Sequence, residues 1–139
     1  MYKDILIPVA YDDDHDPARA IAVARLLAAP GARFTLLHVM DEVPAYALSY
    51  LPTDYRAGAR KGILADMQEM LAGIDNAHAA VIEGHAGRDI VEYATEHGAD
   101  LIVIASHRPG LSDLFLGSTA ARVVRHAPCA VHVMREDAA

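Results

Sequence analysis

Cysteine, long apolar runs and export signals are scarce or missing in this sequence of 139 residues. The single cysteine, Cys129, excludes an internal disulfide and a zinc site built on cysteines. Its setting, Pro128-Cys129-Ala130-Val131, predicts a buried and unreactive thiol at the start of a strand. No apolar run approaches the roughly 20 residues that a membrane helix needs, and the first residues show no secretory cleavage pattern. We therefore expect a cytoplasmic protein without membrane insertion.

The sequence also has fewer basic than acidic residues and lacks the common catalytic motifs. The 12 lysines and arginines face 19 acidic residues, and the net charge of -7 argues against binding to nucleic acid or to anionic membranes. The eight histidines show neither a His-x-x-x-His pair nor a two-carboxylate metal pattern. There is no Gly-x-Ser-x-Gly elbow and no Walker lysine motif. We predict no catalytic residue and no metal ligand in the chain.

What the sequence does contain is an alternation of short apolar runs with amphipathic stretches. The predicted strands are 3–10, 34–40, 79–83, 100–104 and 130–134, and the predicted helices are 18–28, 53–71, 89–97 and 119–126. Residues 41–52 and 84–88 are predicted as loops. Strands that alternate with helices indicate right-handed crossovers and a parallel sheet. We predict an α/β fold, a single doubly wound domain over 1–139 with strand order 3-2-1-4-5 and helices on both faces.

The clearest candidate for a binding site is the tripeptide Gly117-Ser118-Thr119 at the start of a predicted helix. The first N–H groups of a helix lack internal partners, and the helix dipole favours an anion beside them. Gly110 lies seven positions earlier, so two backbone segments can wrap one phosphate chain. The alternative is purely local, because Ser118 as a helix cap and Pro109-Gly110 as a turn need no ligand.

The predicted topology brings other residues to the same place. Ligands of such sheets bind outside the carboxyl ends of the strands, where the strand order reverses. That point lies between the first and fourth strands, whose ends contribute Pro8, Val9, Ala10, Ser106, His107 and Arg108. Arg108 either pairs with a phosphate or remains solvated, and His107 either contacts the ligand or bonds within the turn. The acidic run 12–14 is either a solvated loop or a set of ligand contacts.

Several short motifs, in their order and spacing, resemble the universal stress protein family over nearly the whole chain. They are ILIPV at 5–9, LLHV at 36–39, GHAGRDI at 84–90, GADLIV at 98–103, GS at 117–118, and APCAV at 127–131 with Arg135. The resemblance implies an ATP-binding α/β fold, commonly a homodimer, with a regulatory role rather than fast turnover.

The resemblance also implies how ATP would be held. Backbone groups of Val39 would read the adenine edge, while Pro8, Val9 and Ala10 would line the pocket. Nucleotide-binding members usually show Gly, two residues, Gly, nine residues, then Gly-Ser or Gly-Thr. Here Ala105 and Arg108 stand at the first two glycine positions, with eight residues between Arg108 and Gly117. The SHRPG loop instead resembles a branch of small bacterial members that bind ATP, in which Gly110 would take over the close backbone approach.

Three functions remain open on these grounds. The first is an ATP-binding stress-response regulator, a homodimer paired through the exposed last strand near Val131 and Val133, with slow hydrolysis at most. Mg²⁺ is the ion that would accompany ATP, although Ala10 stands where the family often has an acidic residue. The second is an interaction protein without a nucleotide, whose regulated partner could be a solute transporter. The third, a phosphohydrolase or nucleotidyl transferase, is opposed by the acidic sequence AYDDDHD after the first strand.

Overall fold

A computed structural model describes residues 1–10, 17–52, 54–106 and 116–135 of the chain. The strands are β1 (Tyr2–Pro8), β2 (Ala28–Asp41), β3 (Ala77–Gly84), β4 (Leu101–Ala105) and β5 (Ala130–Met134). The helices are α1 (Ala18–Leu27), α2 (Ala45–Leu48), α3 (Tyr55–Met70), α4 (Ala86–His97) and α5 (Ser118–His126). All strand pairs are parallel and the order is β3-β2-β1-β4-β5, which confirms the predicted topology.

Each face of the sheet carries its own apolar core. Ile5 and Ile7 point to one face, where they meet α1 and α3, and Leu6 points to the other, where α4 and α5 lie. This alternation is the two-residue period of a strand. Because β1, β2 and β4 are covered on both faces, their sequences are almost continuously apolar. The helices therefore lie on both faces of the sheet, as predicted.

The boundaries of several elements differ from the sequence-based prediction. β2 begins at Ala28 and runs through Pro30-Gly31, where the sequence predicts a break between a helix and a strand. β1 ends at Pro8 rather than at Ala10, and β3 begins at Ala77 rather than at Ala79. α4 begins at Ala86 rather than at Asp89. The predicted loop 41–52 contains the four-residue helix α2, none of whose residues is buried.

Charged groups hold the strands together at the amino edge of the sheet, the end at which the parallel strands begin. The carboxylate of Asp100 accepts hydrogen bonds from the backbone N–H groups of Lys3 and Asp4. Arg33 bonds the Asp4 carboxylate at 2.7 Å and also donates to the carbonyl of His97. These contacts fasten the start of β1 to its two neighbouring strands.

An open cavity of about 390 Å³ also lies at the amino edge. It forms where β2 loops out against β1, since Tyr2 pairs with Ala28 but Asp4 pairs with Arg33. Four residues of β2 thus lie between these two pairs, against one residue of β1. The cavity is lined mainly by small residues of β2 and of the turn before β3, with Arg25 and Asp75 at its walls. It is far from the strand ends where the sequence places the ligand, and we assign no ligand to it.

Candidate functional site at the carboxyl edge

The candidate site lies where the strand order reverses, between β1 and β4. Ile5 pairs with Leu101 and Leu6 with Ile102, an offset of 96 residues. Continuing that offset places Ala10 level with Ser106. Val9 is half-buried and Ala10 is exposed, whereas Ser106 is only 1% exposed. The ends of both strands thus form the floor of one cleft.

Backbone hydrogen bonds bring Ser106 and Gly117 together. The Ser106 N–H donates to the Met134 carbonyl at 2.9 Å, which fixes the end of β4 against β5. The Gly117 N–H donates to the Ser106 carbonyl at 2.7 Å. Ser106 at the end of β4 therefore lies beside Gly117 at the start of α5, with residues 107–115 in the interval between them in the sequence. The predicted ligand residues His107, Arg108 and Gly110 belong to this interval and lie outside the described residues.

The amino end of α5 is a candidate anion site. Gly117 is the cap residue and, as a glycine, has no side chain that could cap the helix. This corrects the local alternative that Ser118 caps the helix, because Ser118 is already its first residue. The first turn, which is fully described, contains no acidic residue, and the last turn carries Arg125 and His126. Within α5 itself, therefore, no carboxylate neutralises the initial N–H groups or the positive end of the helix dipole.

The backbone of Val39 faces the cleft from the other side. Val9 donates its N–H to the Leu37 carbonyl at 2.8 Å, so Leu37 directs its polar groups towards β1. Val39, two residues later, directs its own groups the same way. The last pair between these strands is Pro8 with Leu37, so Val39 extends past the end of β1. Its N–H and C=O consequently point into the space above Val9 and Ala10, where the sequence predicts the adenine edge.

His38 adds a contact that the sequence analysis missed. Its Nδ1 lies 2.8 Å from the Val9 carbonyl, which holds the end of β1 beside β2. No local signal links these residues, because the contact depends on the register of two strands that are 29 positions apart. The His38 side chain thus shapes the floor of the cleft through the backbone rather than by facing a ligand.

The motif GHAGRDI organises the neighbouring strand end. Gly84 has a φ of +154°, and a Cβ there would overlap the carboxylate of Asp89. That carboxylate accepts the His85 N–H at 2.7 Å and pairs with Arg88, so Asp89 caps the start of α4 from its own first turn. The Arg88 guanidinium, together with the His85 N–H, lowers the pKa of Asp89. Gly87 lets α4 approach the stem of Arg122 on α5.

Cys129 is only partly buried, whereas the sequence predicts a buried thiol. Burial nevertheless raises the pKa of the Cys129 thiol. Within the ranges that the structure describes, no three side chains among His, Cys, Asp and Glu are grouped as metal ligands. The acidic run 12–14 lies outside those ranges. At position 10 the alanine side chain offers no oxygen to a metal ion.

Comparison with known proteins identifies the family to which this chain is similar. A family model described as the universal stress protein family matches residues 1–135. The chain belongs to the universal stress protein family. The resemblance inferred from the short motifs is therefore confirmed, as is the α/β fold that it implied. Among the residues that the structure describes, no helix is both long and apolar enough to cross a bilayer.

A curated relative and a solved structure extend over almost the same length. A universal stress protein of Thermus aquaticus, from the 3′ region of a QAH/OAS sulfhydrylase, is 34% identical over 143 residues, covering 97% of this chain and all of the relative. The structure of the universal stress protein UspA from Lactobacillus plantarum is 30% identical, with a TM-score of 0.71 and coverage of 96% of this chain and 98% of that one.

Some solved structures of the same fold carry adenine nucleotides. A universal stress protein from Archaeoglobus fulgidus in complex with dAMP has a TM-score of 0.64 at 18% identity, with 96% of this chain and 98% of that chain covered. A family member from Arabidopsis thaliana has AMP bound, and another universal stress protein has cAMP. Their identities to this chain are 20% and 23%, so these similarities establish the shared fold.

Proposed function

We propose that this protein binds ATP in the cleft at the carboxyl edge of its sheet and uses it as a regulatory ligand. The observation that carries the proposal is the amino end of α5, which has no acidic residue in its first turn and which Gly117 joins to Ser106 where the strand order reverses. The N–H groups and the dipole at a helix start favour a phosphate there. Related folds that carry AMP, dAMP or cAMP support an adenine nucleotide as the occupant.

The two sides of the cleft suggest an orientation for the ligand. The phosphates would lie on the N–H groups of Ser118 and Thr119, and Gly117 would allow close approach. The base would lie near Val39, whose backbone groups face the cleft, with Pro8, Val9 and Ala10 beneath it. β2 and β4 are separated by two strand spacings, about 10 Å, which a nucleoside phosphate can bridge. His107, Arg108 and Gly110 would complete the phosphate contacts.

The role that we propose is regulatory. Phosphates that contact the segment between Ser106 and Leu116 would set the surface that this segment presents to a partner. A ligand can shift a protein only by the difference in its affinity for two states, and contacts to this segment would provide such a difference. We also propose a homodimer through β5 and one domain over 1–139. Magnesium, if it accompanies ATP, would be held by the phosphates and by residues other than Ala10.

Mass spectrometry and calorimetry test the proposal together. The protein is purified without added nucleotide, denatured, and its released small molecules are identified, and the nucleotide-free protein is then titrated with ATP. We expect released adenine nucleotide, or binding of added ATP with one site per chain. Clean protein with no measurable affinity would favour the interaction protein without a nucleotide, a reading that the alanines at positions 10 and 105 allow. Multiple turnover of bound ATP would instead indicate an enzyme.

A further inference from the structure

Two tyrosines in the segment that follows β2 remain in solvent. They lie on the segment that we call the strap, residues 42–52, which connects β2 to the region before α3. Tyr46 is 79% exposed and Tyr50 is 85% exposed. The strap contains α2, and none of its helical residues is buried. Large aromatic side chains usually contribute to a core or an interface. The solvent exposure of these two tyrosines therefore makes them candidates for contact with a ligand or a partner.

Arg56 fastens the return of the strap to the place where it begins. Its Nη2 donates to the Asp41 carbonyl at 2.8 Å, and its Nε donates to Glu83 Oε1 at 3.1 Å. Asp41 is the last residue of β2, and Glu83 is the penultimate residue of β3. Arg56 is the second residue of α3. Both ends of the strap are therefore held at the carboxyl edge of the sheet, the same edge that forms the nucleotide cleft.

The length of the strap lets its tyrosines reach the base. Val39 lies two residues before Asp41, and its backbone points towards β1, one strand spacing of about 4.8 Å away. Tyr46 follows Asp41 by five residues, and a chain of that length spans at most about 18 Å. A base held by the Val39 backbone thus lies within range of the strap, with no change in the sheet.

Charge orients the nucleotide with its base on this side. Asp41 and Glu42 make the end of β2 acidic, while Glu83 at the end of β3 is paired with Arg56. The negative charge that remains disfavours phosphates there. The positive end of the α5 dipole lies across the cleft. A nucleotide would accordingly direct its phosphates to α5 and its uncharged base towards the strap. Aromatic side chains stack on such bases and contribute to affinity through contact with the flat face of the ring.

We propose that Tyr46 and Tyr50 form a stacking surface for the adenine base of the bound nucleotide. The proposal rests on the proposed function and adds side-chain contacts that the backbone of Val39 cannot provide. It also gives the exposed rings a role, because stacking would bury them only when the nucleotide is present. The strap would then cover the base while Arg56 keeps its ends in place.

Calorimetry with two ligands tests the stacking. The full-length protein, Tyr46→Ala, Tyr50→Ala and the double variant are each titrated with ATP and with inorganic tripolyphosphate. We expect the double variant to lose about tenfold or more in ATP affinity, the range of base stacking on an aromatic ring, and to keep its tripolyphosphate affinity. Tyr55→Ala is the matched control, because Tyr55 is 54% exposed but belongs to α3.

The outcomes separate the two proposals. If the wild-type protein binds no ATP, the proposed function fails and the stacking fails with it. If the wild type binds ATP and the double variant binds it equally well, the stacking alone is wrong. An equal loss of affinity for ATP and for tripolyphosphate would also overturn the stacking, because it would show a general effect on the cleft.

Proteolysis provides a readout that needs no substitution. Chymotrypsin cleaves after exposed aromatic residues and leucine, and the strap offers Tyr46, Leu48 and Tyr50. We expect saturating ATP to slow cleavage within the strap, with cleavage sites identified by mass spectrometry. Tripolyphosphate should not protect these bonds, since it has no base. Equal cleavage of the strap with and without ATP, in protein shown by calorimetry to be saturated, would contradict the proposal.

Discussion

Gly117 is the residue on which the phosphate site depends most directly. Its φ of -57° and ψ of 155° are accessible to any amino acid, so the backbone does not require glycine here. We expect Gly117→Val to fold and to weaken ATP binding by more than about tenfold, or about 1.4 kcal/mol, because the added side chain obstructs close approach to the helix start. Calorimetry measures this loss. Gly62→Ala, on the exposed face of α3, is the control. If Gly117→Val binds ATP as tightly as the wild type does, the phosphates do not lie at this position.

Ala10 tests the adenosine end of the cleft. It is exposed just after β1 and lies near the space towards which Val39 points. We expect Ala10→Asp to weaken ATP binding in EDTA, because a carboxylate repels the phosphates, and to restore or raise affinity in Mg²⁺, because the ion can bridge both groups. Titrations in the two buffers measure the effect. If neither affinity nor its magnesium response changes, position 10 does not line the pocket.

Gly84 is required by its conformation, in contrast to Gly117. Its φ of +154° is a region that residues with a Cβ rarely adopt, and a Cβ would meet the carboxylate of Asp89. We expect Gly84→Ala to destabilise the protein by about 1–3 kcal/mol, measured by urea unfolding. Gly62→Ala should instead be neutral or stabilise by up to about 1 kcal/mol, since it sits in a helix with open space around it. Equal stability of both variants would contradict this account of Gly84.

At the scale of elements, the sequence predicts the order of strands and helices better than the residues at which they begin and end. The apolar runs of β1 and β4 follow from burial on both faces, a property that single residues carry, whereas β2 begins six residues before its predicted start. α4 begins three residues before the predicted start, because Asp89 caps the helix from within its first turn rather than from in front of it. The helix α2 has no buried side chain and so leaves no periodic signal.

The cap of α4 makes a pH-dependent contribution to stability. The pKa of Asp89 is lowered in the folded state by Arg88 and by the His85 N–H. The stabilisation is therefore complete above the ordinary aspartate pKa of about 4 and is lost as pH falls through the lower folded value. We expect Asp89→Asn to lower the free energy of unfolding by less than about 1 kcal/mol at pH 7. The difference in this free energy between the variant and the wild type should become smaller below about pH 4.

Unfolding in urea across this pH range measures the effect of Asp89. Asp75→Asn, at an exposed turn, is the control for the loss of one negative charge. A gap between wild type and Asp89→Asn that stays constant from pH 7 to about pH 3 would show that the charge of Asp89 does not support α4.

At the scale of the whole molecule, the candidate site is largely a consequence of topology. Pro8, Val9, Val39, Ser106 and Gly117 are far apart in sequence, yet the order β3-β2-β1-β4-β5 brings them to one edge. That order could be predicted because parallel strands with helical crossovers permit few arrangements. The hydrogen bond from Arg56 to the Asp41 carbonyl could not be predicted from the sequence. It joins a side chain to a backbone group, and it depends on how α3 packs against β3.

The expected homodimer depends on β5, an outermost strand of the sheet. β5 pairs only with β4 and forms one edge of the sheet, with its polar backbone groups alternating between the two sides. Met134 accepts the Ser106 N–H, so Met134 and His132 face β4, and Val131 and Val133 direct their N–H groups outwards. Such a free edge favours pairing with another strand, and two copies can pair about a two-fold axis.

We therefore expect a homodimer that Val133→Pro converts to monomers while leaving each subunit folded. Proline removes the N–H of residue 133, which faces away from β4, and no bond of the β4–β5 ladder is lost. His132→Pro is the contrasting variant, since it removes a donor that faces β4 and should destabilise the subunit itself. Sedimentation equilibrium gives the mass and circular dichroism the fold. A monomeric wild type at micromolar concentration would refute the dimer, whereas a dimer unaffected by Val133→Pro would place the interface away from β5.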